Sequence, residues 1–145
     1  QLTGLRGLIG DPSFRAAGVH VTLPGGHLDL HADFNRDRFR GLARALTVLL
    51  YLNPGWQDEW GGALELWPAD RSACAARISP QHNRCVVMVH ADDGYHGHPE
   101  PLRCPPERVR QSLAAYYYQT DDARRAADPS YTPDAAHGAL WVRPR

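Results

Sequence analysis

An all-β sandwich or jelly roll around one core is the fold class this sequence predicts, and three observations carry that expectation. Six or so short apolar or alternating runs are separated by glycine and proline turns. Little helical periodicity lies between them. There is no internal repeat and no alternation of strand with helix, which disfavours a Rossmann or α/β-barrel reading. The 145 residues suffice for a single sizeable core and not for two.

Taken in order, Leu2, Leu5, Leu8 and Ile9 recur at helical spacing until Gly10-Asp11-Pro12, so residues 2–9 are expected to form a short N-terminal helix. Residues 19–23 are rich in β-branched side chains and end at Pro24-Gly25-Gly26, a turn signal that predicts a hairpin into a second strand carrying His31. Residues 35–40 are a charged, mobile connection rich in arginine. The apolar run 46–52 is long enough for a strand buried on both faces, although periodicity also allows a helix. Asn53-Pro54-Gly55 ends it. Trp56, Trp60 and Gly61-Gly62 bracket a loop before the alternating segment 63–67, and these tryptophans, with Trp67, are expected to pack the rim of the fold rather than form an aromatic platform. Residues 69–83 read as an irregular excursion. Cys85–Val89 and residues 113–118 read as two more strands, the latter the last. From Thr120 onward a charged, proline-bearing tail is expected over the surface.

Sixteen basic and sixteen acidic residues give zero net charge, so there is no electrostatic case for nucleic acid or an anionic membrane as partner. No apolar run approaches a transmembrane span and no signal peptide is visible. The chain opens at Gln1 without methionine, as a fragment, a processed form or the ordered part of something longer would. Cys74, Cys85 and Cys104 are odd in number with no Cys-x-x-Cys spacing, which points to a reducing cytoplasm rather than a disulfide framework. Cys85 is expected to be a buried small hydrophobe and Cys104 a loop thiol.

The chemistry gathers on the stretch 26–35. On a strand, His27, Asp29, His31 and Asp33 share one face while Leu28, Leu30 and Ala32 share the other. Four polar side chains on one face are costly to bury without purpose, but a face turned to water gives the same pattern. His31 and Asp33 form two thirds of the two-histidine, one-carboxylate arrangement that suits Fe(II) and leaves positions open. His96 and His98 are the candidates for the missing histidine. Arg110 and Ser112 stand two apart, so on a strand they face one way. A guanidinium fork can take a carboxylate through two hydrogen bonds and a hydroxyl can add a third.

Together, His31-x-Asp33, Tyr51-Leu52-Asn53, Gly61-Gly62-Ala63-Leu64, Asn83-Arg84, His96 and Arg110-x-Ser112 stand in the order of the prolyl-hydroxylase-like branch of the 2-oxoglutarate- and Fe(II)-dependent dioxygenases, which this sequence resembles over roughly residues 19–118. The resemblance implies a double-stranded β-helix with iron at its mouth, held by His31, Asp33 and His96. His96 is preferred to His98 because of its place in the family's distal segment, and because Pro99 restricts the backbone of His98. It further implies 2-oxoglutarate as cosubstrate, its distal carboxylate on Arg110, Ser112 and Tyr51, and consumption of O2 with release of succinate and CO2 as a small molecule, an amino acid or a peptidyl residue is hydroxylated. Related halogenases lack the carboxylate, so Asp33 points to hydroxylation, or less often to desaturation or ring formation. Family members carry elements ahead of the first core strand that are scarce before Val19, so the chain is expected to be one oxygenase domain lacking part of its N-terminal support.

His20, His27, His82, His90 and His137 have no partner at ligand spacing and are expected at the surface or in structural roles. Asp29 is a rival ligand by position alone. Arg36, Arg38, Arg40 and Arg44 read as a solvated loop, or else as a lure for an anionic substrate. Two other classes remain open at this point: a cupin-like hydrolase or isomerase with a non-redox metal, and a β-sandwich module that recognises sugar or peptide through its tryptophans.

Overall fold

The computed structural model of the chain describes residues 2–133 and 138–142, so His137 lies outside the described residues. The strands are β1 (Ile9–Gly10), β2 (Gly18–Thr22), β3 (Leu28–Ala32), β4 (Arg36–Asp37), β5 (Leu42–Tyr51), β6 (Leu64–Trp67), β7 (Ala76–Ile78), β8 (Cys85–Val89), β9 (Tyr95–His98), β10 (Arg110–Gln119) and β11 (Leu140–Val142). A helix, α1 (Asp121–Ala127), follows β10. One sheet runs β1-β10-β5-β4, with β2 also on β10 and β8 also on β5. The other runs β11-β3-β9-β6-β7. Every pairing is antiparallel. Successive core strands alternate between the two sheets, which is the jelly-roll, double-stranded β-helix arrangement.

The long strand β10 shows why the sequence folds this way. Arg110, Ser112, Ala114, Tyr116 and Tyr118 are buried while the residues between them are more open, so period-two alternation turns one face to the interior. On β3, Leu30 and Ala32 are fully buried; sealing a leucine contributes about 1.5–3 kcal/mol. The run 46–52 is strand as far as Tyr51, not helix, because β5 supplies the centre of a sheet between β10 and β8.

Several expectations are corrected. No helix forms over residues 2–9: Gly4 and Gly7 sit at positive φ, and Ile9 and Gly10 pair with Tyr118 and Tyr117 instead. The turn at Pro24-Gly25-Gly26 does not close a hairpin. Its amide and carbonyl bond Leu102 (Gly25 N to Leu102 O, 2.8 Å; Leu102 N to Gly26 O, 2.9 Å), and the chain crosses from β2 in one sheet to β3 in the other. The excursion 69–83 contains β7, paired with β6. Cys85 is exposed, because β8 pairs only with β5 and turns that face outward, whereas the loop thiol Cys104 is buried against Trp56 and Leu102. Beyond Thr120 the chain is not a loose tail. Thr120 caps α1 by accepting from the Ala123 amide at 3.3 Å, buried Arg124 donates to the His90 carbonyl at 3.1 Å, and β11 adds to β3. The connection 35–40 is pinned as well, with Arg36 paired to Asp121 and Arg40 to Asp11.

Candidate active site

Strands β3 and β9 bring His31 opposite His96. Gly97 permits that approach: a Cβ there would stand 2.7 Å from the Leu28 carbonyl and 2.8 Å from that of Asp29. Asp33 follows β3 directly. Nε2 of His31 lies 3.6 Å from Asp33 Oδ1, and Nε2 of His96 lies 3.6 Å from Asp33 Oδ2. One donor atom from each residue falls within 4.8 Å of the others.

Both tautomers are fixed by the backbone. His31 Nδ1 donates to the Asp29 carbonyl at 2.9 Å and His96 Nδ1 to that of Gly94 at 3.2 Å. A carbonyl only accepts, so each ring keeps its lone pair on Nε2, facing the carboxylate. Burial lowers the pKa of His96, with Asp33 opposing and His31 adding to the shift; the ring is held neutral, as a metal ligand must be. Burial alone would raise the pKa of Asp33, but the adjacent Arg44 guanidinium holds its carboxyl well below the usual carboxylate range.

Arg44 is the residue that sequence reading places wrongly. It is 1% exposed, not in a solvated loop. Its guanidinium meets Asp33 Oδ2 at 2.8 Å and the Thr47 hydroxyl at 2.9 Å, and it lies over the Tyr116 ring at 3.8 Å. Alternation would send Arg44 to the face opposite Thr47, Leu49 and Tyr51. A bulge prevents this: Tyr117 pairs with Leu46 and Tyr118 with Arg44, leaving Ala45 as the extra residue. Such bulges re-aim side chains beside functional sites. Trp141 is likewise missed, although it stacks on His31 with ring centroids 4.5 Å apart; the only signal was the short apolar run Leu140-Trp141-Val142 in a segment read as tail.

Arg110, 6% exposed, points inward from β10 with Ser112, 2% exposed, beside it. The Arg110 Nε donates to the Gly62 carbonyl at 2.7 Å and a terminal nitrogen reaches the Tyr51 hydroxyl at 3.4 Å. A Cβ on Gly62 would come within 3.0 Å of Arg110 and 2.7 Å of Leu102, so glycine is what lets the guanidinium lie there. Burial lowers the Arg110 pKa, partly offset by Tyr51. A cavity of about 410 Å³ is walled by His31, Asp33 and His96 and by Arg110, Ser112 and His98. A second, of about 360 Å³, meets Asp33 and His96 from the side of Leu66, Trp67, Met88 and Tyr95.

His98 is not part of the three-residue cluster. His27 and Asp29 pair with each other at 3.4 Å and are half exposed. His82 is exposed, and His20 bonds the Ala16 carbonyl at 3.0 Å. The side chain of His90 is buried, and desolvation and Arg44 depress its pKa to about 4. Trp56 and Trp60 pack edge to face at 5.3 Å, as expected of a rim, whereas Trp67 walls the second cavity.

Residues 17–118 match the family described as the 2OG-Fe(II) oxygenase superfamily. The chain belongs to that superfamily. Two solved structures similar to this oxygenase chain are a prolyl hydroxylase from Trichoplax adhaerens, in complex with a hypoxia-inducible factor oxygen degradation domain peptide fragment (27% identity, TM-score 0.55, 76% of this chain and 45% of that one), and a prolyl-4-hydroxylase from Pseudomonas putida (26% identity, TM-score 0.53, 70% and 48%). A prolyl 4-hydroxylase from Phytophthora capsici shares the fold at 21% identity and TM-score 0.53, covering 76% of this chain and 38% of that one. The chain thus spans less than half the length of each. No curated protein matches it.

The superfamily is defined by Fe(II) and 2-oxoglutarate, and this chain's donors fit the metal. Two imidazoles and one carboxylate converge, each ring committing Nδ1 to a backbone carbonyl and turning Nε2 toward the carboxylate. A zinc site of the cupin kind and a tryptophan-based recognition module are both superseded by the family match.

Proposed function

We propose that this chain is the catalytic domain of a 2-oxoglutarate- and Fe(II)-dependent hydroxylase acting on a peptidyl residue, with peptidyl proline as the first substrate to test and free or carrier-bound amino acids as the second. The observation that carries this reading is one cavity lined both by His31, Asp33 and His96 and by Arg110 and Ser112. The prolyl hydroxylase neighbours, one of them holding a peptide, support the substrate class.

In this reading His31, Asp33 and His96 hold Fe(II), which with 2-oxoglutarate and O2 supplies oxidising power that no side chain possesses. Arg110, Ser112 and Tyr51 take the distal carboxylate of 2-oxoglutarate, the guanidinium by charge-assisted hydrogen bonds from a buried side chain. Arg44 keeps Asp33 ionised and fixed in direction. The second cavity, with its apolar walls, receives the residue to be oxidised and excludes water from it. A cytoplasmic location accords with the free cysteines among the described residues, none of whose helices is long and apolar enough to cross a membrane.

The test is anaerobic loading with Fe(II) and 2-oxoglutarate, then addition of O2 with a panel of prolyl peptides or free amino acids. Succinate formed in step with a product carrying one added oxygen is expected from the peptides. Full metal loading without any succinate, with or without substrate, would refute the proposal.

A further inference from the structure

His98 stands two residues beyond His96 on β9, so both side chains leave the same face of the strand. Like His96, it walls the cavity that ends at Arg110. It is 3% exposed and belongs to no metal-ligating group among the described residues. A buried imidazole is costly unless its hydrogen bonding is completed. Arg110 and Ser112 line the same cavity, while the carbonyls fixing the metal-facing rings are already used by His31 and His96.

We infer that the imidazole of His98 donates a hydrogen bond to the distal carboxylate of 2-oxoglutarate, making it a binding residue for the cosubstrate alongside Arg110. The inference rests on the reading of the cavity given above. It makes His98 a determinant of specificity among 2-oxo acids: a ligand with the same metal-binding end but no second carboxylate gains nothing from it.

Protein loaded with Mn(II) in place of Fe(II) allows binding to be measured by calorimetry without turnover. His98→Ala and His98→Phe are expected to weaken 2-oxoglutarate about tenfold, the loss of one charge-assisted hydrogen bond, while pyruvate and Mn(II) bind as in the parent protein to within about twofold. His98→Gln, which keeps a donor, should recover most of the loss. Equal weakening of 2-oxoglutarate and pyruvate, or an unchanged affinity for 2-oxoglutarate, would overturn the assignment. Arg110→Ala run in parallel separates the two levels: if it weakens 2-oxoglutarate and His98→Ala does not, only the role of His98 fails. If neither does, the cavity reading itself fails.

Discussion

The segment that ends in Asp33 carries the pattern His-x-Asp twice, four residues apart, and the two copies meet opposite fates. His27 and Asp29 stand 3.4 Å apart with side chains 46% and 58% exposed. His31 and Asp33 stand 3.6 Å apart at 9% and 17%. Spacing and residue type are the same; what differs is what the other strands bring. The outer pair faces water, where such an ion pair is worth little. The inner pair receives His96 from β9, Arg44 from the bulged β5 and Trp141 from β11. A two-residue motif becomes a candidate metal centre through convergence, not through its own chemistry.

The largest expected effect breaks the inner pair. Asp33→Ala or His31→Ala should reduce Fe(II) affinity on the order of 100-fold or more, measured by metal titration, whereas His27→Ala and Asp29→Ala should leave it within about twofold of the parent. Equal losses from both pairs would dissolve the distinction. Next in size is Arg44→Met, which removes the buried partner of Asp33. It should cost about 3–5 kcal/mol of folding stability in the metal-free protein, read from denaturant unfolding, because a buried carboxylate loses its counter-charge; added Fe(II) should restore part of it. Arg110→Ala should raise the 2-oxoglutarate requirement about 30-fold or more while metal content stays normal, since a charged hydrogen-bond partner is lost at the far end of the cavity only.

Much of the inner site was legible in the sequence. The period-two patterns of β3 and β10 placed His31 with Asp33 and Arg110 with Ser112 on shared faces, and the order of the motifs along the chain favoured His96 over His98. Three things were not legible, each for a physical reason. Arg44 reaches the site because one extra residue, Ala45, reverses the phase of β5, and a bulge leaves no mark on a hydrophobic pattern. The turn after β2 crosses between sheets because Leu102, distant in sequence, competes for its hydrogen bonds. Trp141 and α1 arise from tertiary pairing of a segment whose composition is that of a surface loop.

The smallest effect concerns pH and the apo fold. His90 titrates near 4 when folded and near its ordinary value when unfolded, so the unfolded chain binds more protons between those values. Its contribution is present above about pH 6.5 and is lost as pH falls toward 4, a loss of about 1–3 kcal/mol. Thermal unfolding of the metal-free protein should shift down over that window, and His90→Asn should flatten the shift. A parent protein whose stability rises on acidification would contradict the sign.

The most direct measurement is the visible charge-transfer absorption that a 2-oxo acid gives when it chelates Fe(II), recorded without O2 in the parent protein and in the His96→Ala and His98→Ala variants. The account predicts the band in the parent, its loss in His96→Ala, and its return in His98→Ala once 2-oxoglutarate is raised to saturation. A band that survives in His96→Ala and vanishes at saturation in His98→Ala would place the metal on the wrong histidine and contradict the site described.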